Sequence, residues 1–206
     1  MFFVAFPLSL LYSLQDPLPT IQLKGYTDSA VPIPASEFYT RQTTLAETLH
    51  RLNASAYIAE PGASAQYYAN ISRGAWFLSE RPFLLIITPD VQGESVQAKL
   101  SILTPKFEAT RAKLLSIPSV SEKIEWVEWA EEVNPYERAA SAEALKDVAG
   151  KVFVDGSIRN FVVDGMQAAL PSVKVETAPR EVNLLRERKS AAELSLMKKA
   201  NEVVQF

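Results

Sequence analysis

The chain has 206 residues, of which 48% are hydrophobic and 22% charged, enough apolar material for a real core and too much for a disordered chain. A formal charge of -3 leaves no basic surface to displace counterions from a nucleic acid, so DNA and RNA are not expected partners. Cysteine is absent and histidine occurs once, which excludes disulfides, thiolate metal sites and a cysteine nucleophile, and makes any triad depend on His50.

The chain opens on the apolar run "MFFVAFPLSLLYSLQ", which no Lys or Arg precedes. It reads as a signal segment of unusual composition or a weak membrane anchor through residues 2–12, too short for a confident span. The sequons Asn53-Ala-Ser55 and Asn70-Ile-Ser72 are compatible with a secreted or extracellular chain. A cytoplasmic location is the alternative. Residues 1–34 end in a Pro-, Thr- and Ser-rich linker.

Ser36 is expected to cap a helix carrying Phe38, Leu45, Leu49 and Leu52 and ending near Asn53, with His50 as a surface or boundary residue. Ala56 to Glu60 reads as a buried strand, and Pro61-Gly62 as the turn into a short helix. Phe83 to Pro89 is a continuous apolar run, the pattern of a strand covered on both faces, and Lys99 to Pro105 repeats it. A helix over about 108–115 precedes the strand "KIEWVEW", in which Ile124 and Trp126 share a face. Asn134-Pro135 opens another helix, since Asn caps it and Pro suits its first turn. Strand Val152 to Asp155, a helix through Phe161 and Met166 to Leu170, and strand Val173 to Glu176 complete the alternation. This order predicts a three-layer α/β domain over residues 35–180, with a mixed, mostly parallel sheet between helices. Residues 181–206 then form a linker and a final helix. Ser190 and Glu193 make a capping box at its start, and Leu194, Met197 and Val204 lie on its apolar face.

Few motifs carry chemistry. There is no Gly-rich phosphate loop. In "VDGSIRNFVVDG", Asp155 and Asp164 offer two carboxylates to a single metal ion, although Asp155-Gly156-Ser157 is also an ordinary strand-to-helix turn. In "WVEWAEEVNPYE", the alternation of Trp and Glu places rings inward and charges outward. Glu80-Arg81 suggests a local ion pair or an interface contact.

Four segments together resemble a known family: "SAQYYANISRGAWFLSERPFLLIITP", "KLSILTPKFEATRAKLL", "VFVDGS" and "EVNLLRERKSAAELSLMKKANEV". In order and spacing they are similar to the N-terminal domain of the pita-bread metallopeptidases: creatinase, prolidase and aminopeptidase P. At the domain junction, Leu185, Arg186, Lys189, Ser190, Glu193, Leu194 and Ala200 match the family's "R-x-x-K-S-x-x-E-[IL]" pattern. The resemblance implies a creatinase N-terminal-like fold and a role in oligomer contacts and in walling a neighbouring subunit's active site. Trp76, Glu80 and Arg81 are the candidate contacts, and self-association or a full-length homologue supplies the partner. It also implies that the divalent metal pair of full-length relatives, manganese for example, is held by a following catalytic domain. No catalytic residue, metal ligand or cofactor is therefore expected within these 206 residues. Two other readings stay open: a small metal-dependent hydrolase built on Asp155 and Asp164, and a small-ligand-binding module with its site at the sheet's C-terminal edge.

Overall fold

A computed structural model describes residues 30–121 and 123–204, apart from the side chains of residues 203 and 204. The apolar start, most of the linker and the side chain of Val204 on the terminal apolar face lie outside what is described. Ile33–Lys189 form one compact unit.

Helix α1 (Ala35–Arg51) leads into strand β1 (Ala54–Ala59), helix α2 (Ala63–Ala69) and the hairpin β2 (Leu84–Gln92) and β3 (Ser95–Pro105). A 3-10 turn (Lys106–Glu108) and α3 (Ala109–Lys113) precede β4 (Glu125–Trp129), α4 (Pro135–Ala140), β5 (Lys151–Val154), α5 (Asn160–Ala169), β6 (Lys174–Thr177) and α6 (Arg180–Leu184). The six strands form one sheet in the order β4-β3-β2-β1-β5-β6. Its β3–β4, β1–β5 and β5–β6 pairings are parallel, and β1–β2 and β2–β3 are antiparallel, so the sheet is mixed and mostly parallel.

Successive strand residues point to opposite faces, and both faces are covered. On one face Tyr57, Leu85, Ile87, Leu100, Ile102 and Phe153 pack with Leu45 and Leu49 of α1 and Val182 of α6. On the other, Ile58, Leu84, Ile86, Val127, Val152 and Val154 pack with Val162 and Met166 of α5. This explains why Leu84–Ile87 reads as an unbroken apolar run: every residue in it is buried.

Local differences from the sequence reading have identifiable causes. Ser36 does not cap α1; Pro34 occupies the N-cap without a side-chain bond, and Pro34 O accepts from Glu37 N (3.0 Å). The two strands read as separate apolar runs continue toward each other as a hairpin paired from Leu84↔Leu103 to Gln92↔Ser95. Its tip is polar, so hydropathy hides it, and Gly93 supplies the positive φ (62°) of the tight turn. At the other junction Asn134 caps α4, its Oδ1 accepting from Tyr136 N (2.9 Å) and Glu137 N (3.4 Å).

Helix α7 (Ala191–Val204) belongs to a second unit and not to the Ile33–Lys189 unit. Its capping box is formed: Ser190 N donates to Glu193 Oε2 (3.0 Å) and Glu193 N to Ser190 Oγ (3.1 Å). Leu194 and Met197 are about half exposed.

Candidate functional site

The parallel strands β1 and β5 end side by side, and each delivers a carboxylate just past its last paired residue: Glu60 after β1 and Asp155 after β5. Both are buried. Glu60 binds Arg159 through its carboxylate, with Nε donating to Oε1 (2.9 Å) and Nη2 to Oε1 (2.5 Å). Its Oε2 also accepts from Arg159 N (2.9 Å) at the start of α5, where an anion meets the positive end of the helix. The outer face of Arg159 stacks over Phe161, 4.6 Å from the ring centroid.

Asp155 has a different set of partners. Oδ2 accepts from Tyr57 Oη (2.7 Å) and from Ser64 Oγ, while Oδ1 accepts from Ser157 N (2.9 Å) and Ser157 Oγ. Arg186 Nη2 lies 3.9 Å from Oδ2. Burial opposes the charge on Asp155, but the donors from Ser157, Ser64 and Tyr57 outweigh it and hold the carboxyl below its ordinary range. Tyr57 is pushed well above the usual phenol range by burial and then by the charge of Asp155. Burial, reinforced by Tyr67, does the same to Tyr68, whose hydroxyl is enclosed without a hydrogen-bond partner. The carboxylate thus stays ionised and the phenols stay protonated around neutrality. Such a cluster anchors chain segments; no member is poised to exchange a proton near pH 7.

Asp164 is exposed on α5, while both oxygens of Asp155 are occupied by protein donors. Among the described residues no group of three or more His, Asp or Glu side chains is arranged to hold a metal ion. The two-aspartate hydrolase is therefore not favoured.

The Trp76–Arg81 segment lies beside the loop after β3. Trp76 is buried, stacked against Phe83 with centroids 4.3 Å apart, and the guanidinium of Arg111 sits 4.4 Å above its ring. Glu80 is exposed and pairs with Arg81 (2.5 Å), which also reaches Glu131 (2.7 Å) and lies 5.3 Å from the Phe107 ring centroid. The surface here is made by Phe77 and Phe107, 72% and 63% exposed. Neither is legible as a surface residue in the sequence, because an isolated Phe in a mixed segment predicts a core position as readily as a surface one.

An open groove of about 1030 Å³ lies at the opposite end of the sheet, lined by His50, Asp90, Lys99, Ser101, Glu125 and Asp147 among others. Its charges are largely satisfied internally. Lys99 pairs with Asp90 (3.0 Å), and Glu125 accepts from Ser101 Oγ (2.7 Å) and Glu143 N (2.9 Å). His50 is exposed at the end of α1, as its position in the sequence suggests, and Asn53 and Asn70 are exposed in left-handed conformations (φ 55° and 59°).

No protein-family model matches the chain. It is 38% identical over 178 residues to an uncharacterized peptidase of Schizosaccharomyces pombe, a match covering 84% of this chain and 37% of that one. Its fold matches the crystal structure of a prolidase from Thermococcus sibiricus with a TM-score of 0.64 at 19% identity, over 84% of this chain and 42% of the other. It also matches a creatinase-type N-terminal domain of a dipeptidase from Streptococcus thermophilus, with a TM-score of 0.51 at 11% identity, over 71% of this chain and 98% of the domain. The chain spans about two fifths of the length of the two longer proteins. Its architecture is that of the creatinase/prolidase N-terminal domain.

Proposed function

We propose that this chain, carrying the creatinase/prolidase N-terminal fold, is the noncatalytic assembly module of an Xaa-Pro peptidase-like protein. The observation that carries the reading is the pattern of coverage: the match takes in nearly all of an isolated N-terminal domain but about two fifths of a whole prolidase. The interior is consistent with this role. Its buried carboxylates are engaged in fixing strand ends. No catalytic step is therefore assigned to them.

The surface around Trp76, Glu80 and Arg81 is the contact region in this reading, with Phe77 and Phe107 providing the apolar area and Trp76 supporting them from within. A second copy or a full-length homologue is the partner. Purified chain should not hydrolyse Xaa-Pro dipeptides or tripeptides, with or without manganese, cobalt or zinc. It should self-associate in sedimentation velocity, and Phe77→Asp should weaken that association. Metal-dependent turnover abolished by Asp155→Ala would overturn the assembly reading.

A further inference from the structure

We infer that Asp155 and Tyr67 form a two-point clasp that fixes the course by which the chain leaves the Ile33–Lys189 domain. The inference rests on this domain's own contacts and is independent of the peptidase-module reading.

The first point is electrostatic. Asp155 is 4% exposed, and its four close hydrogen-bond donors, on Tyr57, Ser64 and Ser157, are all neutral. They satisfy its lone pairs and leave a full negative charge in a low-dielectric interior, which attracts a cation within reach. Arg186 supplies that cation at 3.9 Å, a separation too long for a hydrogen bond but within ion-pair reach. The Arg186 side chain is 28% exposed, so the pair is shielded from full solvent screening.

The second point lies one residue earlier. Tyr67 Oη donates to Leu185 O (2.8 Å), and the Leu185 side chain packs against the core on the α1 face. Tyr67 is itself held, because Arg41 Nη1 donates to Tyr67 O (3.0 Å) and the Arg41 guanidinium lies 4.1 Å from the Tyr67 ring centroid. Upstream, Asn183 Nδ2 donates to Ala178 O (3.2 Å), so the backbone is already secured as it passes through α6. A peptide carbonyl and the very next side chain are thus gripped from two different elements, α2 and the end of β5. Together they set both the position and the direction of the chain at Arg186. Tyr67 and Asp155 act here as positioning residues.

The test compares amide hydrogen exchange over residues 185–190 with exchange in the core strands, using the full chain. Arg186→Gln and Tyr67→Phe should each speed local exchange by about fivefold, the effect of losing an interaction worth about 1 kcal/mol, while β1, β2 and β5 exchange as in wild type. Endoproteinase cleavage after Lys189 should accelerate in parallel. In an Asp155→Asn background, Arg186→Gln should add nothing further, because the charge it answers is gone. Unchanged exchange at 185–190 in both Arg186→Gln and Tyr67→Phe would overturn the clasp. So would a uniform rise across the whole domain, which would mark these contacts as general support. If Arg186→Gln fails to fold, Tyr67→Phe alone decides between these outcomes.

Discussion

An alanine at position 165 would gain helix propensity and lose space, and the balance can be worked from α4 and α5. Within a helix, Gly→Ala is favourable by roughly 1 kcal/mol. A Cβ built on Gly165, however, overlaps Cδ2 and Cε2 of Tyr136 and lies 2.8 Å from its Cγ. The contact reaches the base of the ring, so rotating the ring does not relieve it. Nor can the backbone retreat freely, since Asn134 caps α4 through Tyr136 N. Overpacking of this kind costs about 1–3 kcal/mol. Gly165→Ala should therefore be net destabilising by about 1 kcal/mol, lowering the melting temperature by about 2–4 °C for a chain of this size. In a Tyr136→Ala background the obstacle is gone, and the same substitution should become stabilising. Thermal and urea denaturation of the four proteins followed by circular dichroism provides the assay. A Gly165→Ala protein as stable as wild type, or an effect of the same sign in both backgrounds, would refute the packing argument.

Asp155 is more acidic folded than unfolded, so its contribution should be complete above the unfolded carboxyl value of about 3.8 and disappear as pH falls through the lower folded value. The stability difference between wild type and Asp155→Asn, measured by urea denaturation, should accordingly hold constant from pH 7 to about 5 and shrink below about 4. Glu60→Gln leaves Arg159 short of its counter-charge and should cost about 3 kcal/mol, read as a lower urea midpoint with an unchanged slope. Eukaryotic expression with the chain's own N-terminus tests the two sequons: on secretion Asn70, exposed at the end of α2, should carry the glycan ahead of Asn53, and a mass unaltered by glycosidase treatment, with Met1 still attached, would favour a cytoplasmic chain.

The sequence by itself determined the layered α/β class, because period-2 and continuous apolar runs alternate with helical spacing and local chemistry marks the element starts. Leu84–Ile87, Val152–Val154, the Asn134 cap and the Ser190–Glu193 box were legible since each depends on residues close in the chain. Tertiary structure alone decided what depends on distant residues. Tyr57 and Ser64 each lie more than 90 residues from Asp155 along the chain, yet both donate to its carboxylate, and Glu60 meets Arg159 across a gap of 99. It also sent Trp76 inward and left Phe77 and Phe107 outside, a choice that depends on Phe83 and Arg111 packing against the indole. A side chain's burial and charge state follow from what the fold brings against it, and neighbours in sequence do not specify that company.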